Sequence, residues 1–444
     1  MKTISNLKTH RALIYFFLLP LFFILVSCNT TEPPINYTDF YIIQLDVGVS
    51  EVYLHLHNSQ PNRDYDLILE RDNSVITTFN SSATDTVIVD TSLNENRDYT
   101  YKVSKSLRNE IIETTNEVTI KTLEATSHNF TWQTYEFGDF SSILYDVAII
   151  DENSIWAVGE IFLKDENGDY DSEPYGLARW NGSTWSVEKV QIYDSLYNYK
   201  AYSRFNAIYS FGINSTFIAS SANLLKWDFT QFDTKAFFMQ SLPFTGQVTC
   251  MWGTDENNIY LGSGSDGTVY NYYGSGWKII YQSENDAGIA DVIGYVSPID
   301  NKLNVVASAI SQSIDGDNKI LLIDENNNVN EMEWDSRTSI TSTWTRKGLP
   351  IYSSGDGVYK YDGQDWKRIP GLPSIFTNKV LGTKLNDIFV VGAFGLILHF
   401  NGITWQSLVS LGSGALGQVA IKDDIIAIAG REGGKAVVKI GRRN

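Results

Sequence analysis

The sequence predicts an all-β chain in which an N-terminal β-sandwich precedes a seven-bladed β-propeller, closed by a strand from its own N-terminal side. Three observations carry that reading. Between Ile143 and Trp185, three short apolar runs are separated by Asp151-Glu152-Asn153 and by Asn181-Gly182. Alternating apolar residues closed by Asn-Gly specify antiparallel strands joined by tight turns. Such a four-stranded unit cannot bury its own faces, and its second strand recurs at Ile155, Phe217, Ile259, Val305, Ile351, Ile388 and Ile425, at intervals of 62, 42, 46, 46, 37 and 37 residues. Ahead of the repeat, about seven strand-like runs fit between Ile42 and Thr122, which is sandwich density.

The 444 residues include 33 Gly, 25 Tyr, 22 Phe and 11 Trp but only 10 Pro and 2 Cys, a composition suited to strands and tight turns. The organisation read from the chain is a leader at 1–27, a tether at 28–35 stiffened by Pro33-Pro34, a sandwich at 36–125 and the propeller at 126–444. Lys2, Lys8 and Arg11 precede an apolar run, Ala12 to Val26, that is short for a bilayer span. Leu25-Val26-Ser27-Cys28 resembles the lipobox of bacterial lipoproteins, which implies cleavage before Cys28 and acylation of its thiol. An ordinary secretory signal or a short anchor helix is the alternative. Because Asn29 rather than Asp follows, the expected location is the outer membrane or cell surface, with the lipid on Cys28 as the membrane contact.

Removing residues 1–27 moves the formal charge from −18 to −21, and so acidic a surface disfavours nucleic acid as a partner. Cys250 sits in the apolar run QVTCMWG and is expected to be a small buried hydrophobe, with no disulfide.

The sandwich strands are read as Ile42–Val47, Glu51–His57, Tyr65–Glu70, Val75–Phe79, Thr86–Val89, Tyr99–Val103 and Val118–Thr122. The segment LNENRDYTYKV, Leu93 to Val103, resembles the corner and F strand of fibronectin type III domains. That resemblance implies that Tyr99 folds its hydroxyl back on the preceding loop. Glu95 stands where that family has Pro, and the second strand lacks its Trp. His55 and His57 share one strand face and an i, i+2 pair can chelate zinc, but Val52, Leu54 and Leu56 claim the buried face. The two histidines are therefore expected to be solvated.

Within the repeat, the outer hairpin has fixed chemistry: Trp180-Asn181-Gly182-Ser183-Thr184-Trp185, Phe400 to Trp405 and Tyr361 to Trp366, with Tyr272 to Trp277 and Trp227 to Phe232 as variants. An aromatic, a turn and a second aromatic place two rings on neighbouring strands, where they pack between blades. The last unit has only three runs, Gln418–Ile421, Ile425–Ala429 and Ala436–Ile440, while Phe130 to Thr134 resembles the outer strand Ile403 to Ser407. Pairing the two ends would close the ring. Six and eight blades are the alternatives, since the unit from Gly288 to Trp334 matches least.

Tight turns such as Asp151–Ser154 follow first and third strands, whereas Phe162–Tyr175, Gln191–Tyr202, Gln282–Ala287 and Ser308–Asn318 follow second and fourth strands. Insertions gathered on one rim mark it as the binding face. Asp165, Asn167, Asp169, Asp171 and Glu173 surround a glycine turn with oxygen ligands that suit calcium, although the spacing is not that of an EF-hand, and Asp315-Gly316-Asp317-Asn318 is a lesser copy. No other cofactor is expected. Tyr170, Tyr175, Tyr193, Tyr197, Tyr199 and Tyr202 cluster in the first two insertions and would suit a glycan or a protein surface.

Enzymatic motifs fail on context. Gly412-Ser413-Gly414-Ala415-Leu416-Gly417 has dinucleotide-fingerprint spacing but opens a strand, and Arg368-Ile369-Pro370 resembles the sialidase motif without that family's Asp boxes. Of the histidines, only His128 and His399 fall in the propeller, and His399 reads as a packed strand residue. The whole mature chain resembles a group of bacterial lipoproteins that join a fibronectin-like module to a propeller, some of which carry a glucosyltransferase label. The expected function is a monomeric, lipid-anchored, non-catalytic protein that binds a glycan or protein on one rim. A carbohydrate-active enzyme and a structural envelope protein are the alternatives.

Overall fold

The computed structural model describes residues 39–62, 64–194, 199–226, 238–241, 246–284, 287–311, 318–334, 338–409 and 411–444. The leader, Cys28, the tether, Tyr197, the stretch 227–232 and Asp315–Asp317 lie outside the described residues. All regular structure among those described is strand.

The first layer pair is built from β1 (Phe40–Val47), β2 (Glu51–Asn58), β3 (Asp66–Arg71), β4 (Ser74–Phe79), β5 (Asp85–Thr91), β6 (Asp98–Leu107), β7 (Glu110–Thr114) and β8 (Val118–Lys121). One sheet has the order β1-β2-β5, and the other β4-β3-β6-β7 with β8 also on β6. Alternate residues of both sheets, among them Ile42, Leu54, Leu67, Tyr101 and Val103, interlock as the core. The Asn94 amide donates to the Tyr99 hydroxyl at 2.9 Å, tying the loop before β6 to its own strand. Strand β7 was not among the expected strands. The left-handed pair Arg108-Asn109 turns the chain back onto β6, although Ile111 and Ile112 lie exposed.

The rest of the chain is a β-propeller. Its sheets span 143–188, 191–241, 248–282, 287–333, 340–368 and 377–407, and a last one joins 415–443 to β9 (Phe130–Phe137). Ile155, Phe217, Ile259, Val305, Ile351, Ile388 and Ile425 each lie in the second strand of their sheet. Each first strand touches the next one around the axis, and Ile143–Asp151 touches Ala415–Lys422, so the circuit closes. β9 runs antiparallel to Lys435–Arg443, pairing Gln133 with Ile440 and Thr134 with Lys439, so that Lys435–Arg443 is covered and β9 becomes the outer strand of the last sheet. The aromatic hairpins sit in register: Trp180 opposite Trp185, Tyr272 opposite Trp277, Tyr361 opposite Trp366, and Phe400 opposite Trp405. Their rings reach the neighbouring sheet, as Trp366 does against Trp334 at 4.7 Å and Trp180 against Tyr135 of β9 at 5.5 Å.

Gln191–Tyr202 is not the irregular loop expected. Gln191–Asp194 and Tyr199–Tyr202 form a hairpin that extends the second sheet by parallel pairing on Phe238–Ser241, covering that outer edge. The partition of turns and insertions also has an exception. Residues 227–237, eleven in number, separate the third and fourth strands of the second sheet, where a tight turn is expected, and lie outside the described residues.

The sandwich is fastened to the propeller rather than hung beside it. Leu45 and Tyr53 share one apolar cluster with Trp344, Tyr352 and Val358, and Val87 and Val89 pack against it. Arg346 donates to the fully buried Asp46 at 3.0 Å, and Lys360 reaches Glu51 at 2.7 Å. Asn386 donates to the Glu124 carbonyl at 2.7 Å. These contacts explain a correction: His55 is only 2% exposed, because that face of β2 turns inward beside the dock, and it is not solvated as expected. His55 Nε2 and His57 Nδ1 both meet Asp85 Oδ1, at 3.0 and 2.8 Å, and Tyr41 stacks on His57. The pair is a structural contact with one carboxylate.

Candidate functional site: the channel and its insertion-bearing mouth

Successive strands of a sheet run in opposite directions, so connections after first and third strands gather on one rim and the others on the opposite rim. Arg346, Asn386 and Gly402, which meet the sandwich, lie in connections of the first kind. The sandwich therefore covers part of the turn-bearing rim and leaves the insertion-bearing rim clear.

Around that clear mouth stand exposed large apolar and aromatic side chains. Phe140 (79% exposed) follows β9, Phe376 precedes Thr377–Lys384, Leu411 lies between the sixth and last sheets, and Tyr170 and Tyr202 flank the first sheet. Phe394, 56% exposed, is held at φ +58°, a left-handed conformation that costs a bulky residue about 1–2 kcal/mol. Its turn is clamped from both sides. The Gly412 amide donates to the Phe394 carbonyl at 2.8 Å, Gly395 donates to Gly414 at 2.9 Å, and Ala393 donates to Phe376 at 2.9 Å. The glycine run that mimics a dinucleotide fingerprint thus serves as the clamp for a displayed phenylalanine.

Beneath the mouth lies a cavity of about 380 Å³ along the axis, lined by the first strands. Six of these strands carry a β-bulge near the mouth, and the residue just after it is Asp146, Cys250, Asp291, Ser342, Lys379 or Gln418. A bulge re-aims the side chains that follow it. All of these but Ser342 line the cavity, and Ser342 donates to Asp291 at 2.5 Å. The bulged residues themselves point sideways. Thr249, Thr341 and Asn378 each donate to a carbonyl of the next first strand, those of Ile289, Thr377 and Leu416, all at 2.8 Å. One backbone device therefore stitches the sheets together and turns polar groups to the axis.

The charges in the channel are unevenly matched. Lys379 pairs with Asp291 at 2.5 Å, and Lys422 donates to the Ile150 carbonyl. Asp146 accepts only backbone amides, from Val147 at 2.8 Å and from Ile208 at 2.9 Å. Loss of water around this carboxylate pushes its pKa up to about 7, against the pull of the two amides and of the Lys379 charge, which lies beyond ion-pair distance. The Cys250 thiol, buried as expected, is also pushed up by burial. Sequence reasoning missed this ring. The available signal was a polar residue followed by valine inside an apolar first strand: Asp146-Val147, Asp291-Val292, Lys379-Val380 and Gln418-Val419.

Of the anticipated residues, the structure brings a few together. Lys189 pairs with Asp171 and lies 5.2 Å from the ring centres of both Tyr175 and Tyr202, and Lys164 lies 5.1 Å from that of Tyr170. Tyr193 and Tyr199 fall on the two strands of the added hairpin. The proposed calcium ligands do not converge. Asp165 accepts the amides of Asn167 and Asp169, which holds its carboxyl below the usual range, while Asp171 is occupied by Lys189 and Glu173 lies exposed. Among the described residues no group of three or more His, Cys, Asp or Glu is placed to hold a metal.

The propeller histidines form a separate cluster at the closure. His399, fully buried, meets Asp387 through Nε2 at 3.0 Å and His128 through Nδ1 at 2.8 Å, and Arg443 reaches the same Asp387 oxygen at 2.5 Å. Burial, and for His128 the neighbouring His399, hold both imidazoles below their usual pKa.

No family model and no curated protein matches this chain. Its fold is similar to that of YCF48 from Cyanidioschyzon merolae, with 14% identity over 70% of this chain and 98% of that one, at a TM-score of 0.50. A structure described as YCF48 bound to D1 peptide gives 15% identity, the same 70% of this chain, 95% of the other, and a TM-score of 0.50.

Proposed function

We propose that this chain is a lipid-anchored cell-envelope protein in which a fibronectin type III-like sandwich carries a seven-bladed propeller, and that the insertion-bearing mouth docks a segment of a partner protein without transforming it. The observation that carries the reading is Phe394, an exposed aromatic kept in a strained conformation by two neighbouring connections. Strain of this kind persists where the surroundings over-determine it, and it clusters at binding surfaces. Phe140, Phe376 and Leu411 extend the apolar surface. They offer no hydroxyl or amide, so they favour a protein segment over a sugar, which needs hydrogen-bonding groups beside the stacking ring.

Other features support the remaining parts of the reading. The Tyr99 corner and the sheet orders β1-β2-β5 and β4-β3-β6-β7 favour the fibronectin-like assignment for 36–125. The sheets of 126–444 favour seven blades. The lipobox-like Leu25 to Cys28 favours acylation of Cys28 and an outer-membrane or surface location. A propeller of similar fold, YCF48, is described bound to a peptide.

The test is a peptide-display library panned on the full-length protein in non-ionic detergent, with a glycan array run in parallel. Enriched peptides should lose at least tenfold in affinity on combining Phe140→Ser, Phe376→Ser and Phe394→Gly. Peptide binding untouched by that variant, or glycan binding that alone depends on these rings, would overturn the reading.

A further inference from the structure

We infer that the axial channel is a pocket for an organic cation, a primary ammonium or guanidinium group entering from the insertion-bearing mouth with Asp146 as its counter-charge. This site stands on the channel geometry and does not require the rim to bind a protein segment.

Size and position come first. A volume of about 380 Å³ falls within the range of small-ligand sites, which is roughly 300–1,000 Å³. Asp146 is the fourth residue of Ile143–Asp151 and so lies toward the end of the channel at the insertion-bearing rim.

The charge inventory then selects the ligand. The titratable groups facing the cavity from the other strands are Tyr209, Cys250, Asp291, Lys379 and Lys422. Each strand's contribution is already engaged or uncharged. Asp291 holds Lys379 and Ser342, Lys422 donates to the Ile150 carbonyl, the Tyr209 hydroxyl donates to the Gly253 carbonyl at 3.1 Å, and burial keeps the Cys250 thiol protonated. Lys379 is paired, and Lys422, which has a carbonyl but no carboxylate partner, ends its strand at the opposite, turn-bearing end of the channel, so an anion entering from the insertion-bearing mouth first meets a cation that already holds a carboxylate. Asp146 is the group left over: each of its oxygens accepts one amide, and among the described residues no cation lies within ion-pair reach. A carboxylate oxygen can accept a second hydrogen bond, and a buried carboxylate is stabilised most by a cation in contact with it. Trp252 and Tyr209 line the same cavity and add apolar surface for the stem of such a group.

The group could come from a free amine or from a lysine or arginine side chain of a docked segment. Two probe pairs separate these sources on full-length protein in non-ionic detergent, read by ligand-observed saturation-transfer NMR. The first pair is n-butylammonium against n-butanol; the second is acetyl-Gly-Lys-Gly-amide against its norleucine analogue. At pH 8 the cationic member of at least one pair should bind and its neutral partner should not. Because the proton competes for Asp146 with a pKa of about 7, affinity should fall about fivefold between pH 7 and pH 6 and approach a tenfold fall for each pH unit below that. Asp146→Asn should abolish the binding.

Discrimination in the butylammonium pair alone assigns the pocket to free amines, and discrimination in the peptide pair to a side chain. Phe394→Gly should leave butylammonium binding unchanged, so a failure of the rim reading leaves this result standing. If Asp146→Asn does not fold, the pH series on the wild type carries the test. Equal binding of n-butanol, indifference to pH, or retained binding in a folded Asp146→Asn protein would overturn the assignment.

Discussion

Burial sets the Asp146 carboxyl near pH 7 in the folded state, against 3.8 for the ordinary group, so between those values the folded chain holds a proton that the unfolded chain has released. Its contribution to stability therefore falls as pH rises through that window, and above pH 7 the full penalty applies, at most about 4 kcal/mol. His128 and His399 act in the other direction. Their folded pKa values lie below 6.5, so the unfolded chain takes up protons first and stability is lost as pH falls below 6.5. Asp146→Asn should therefore be more stable than wild type in urea at pH 8, lose that advantage toward pH 5, and show a steeper acid decline. Identical wild-type and variant curves at pH 5, 6, 7 and 8 would contradict this account. These residues also mark what could be read from sequence alone. A packed His399 was legible from the apolar run LILHF, but its contacts with His128 and Asp387 were not, because 271 residues separate the two rings in the chain. Asp146 could not be picked out from sequence, because period-two alternation gives no warning of a bulge one residue earlier.

At the scale of elements, the sandwich–propeller dock offers a contrast between two ion pairs. Asp46 is fully buried, one of its oxygens has no partner, and Arg346 is its cation. Arg346→Met would leave that carboxylate uncompensated and should cost about 3 kcal/mol, the low end for breaking a buried pair because Arg346 is itself partly exposed. Lys360→Met, opposite the partly exposed Glu51, should cost no more than about 1 kcal/mol. Denaturant midpoints of the two variants would check the order; a reversed order would overturn this ranking, and no loss in either would mean that the dock is held by packing alone. The ring pairs of the four described outer hairpins that were expected were readable because turn and rings lie within six residues, as in Trp180 to Trp185. The dock was not, because Asp46 and Arg346 are 300 residues apart and the face of β2 that bears Tyr53 also carries two histidines. For that reason the face read as solvated.

For the whole molecule, the last sheet is completed by one strand pair between distant parts of the chain. Gly441 faces Trp132 of β9 so closely that a Cβ there would sit 2.7 Å from the indole. Gly441→Val should displace the ring and cost roughly 1–3 kcal/mol as overpacking. It should also speed proteolysis in the 126–137 segment, measured against wild type by timed digestion, and unchanged cleavage there would show that β9 is not the gate of the ring. The dock has a consequence for synthesis as well. Residues 39–125 leave the ribosome first, yet the surfaces that cover Leu45, Tyr53 and Asp46 belong to residues near 344–360. Through most of translation the nascent sandwich must keep an apolar face and an unpaired acid in water, and any holdase that escorts the emerging chain has its docking face ready-made there.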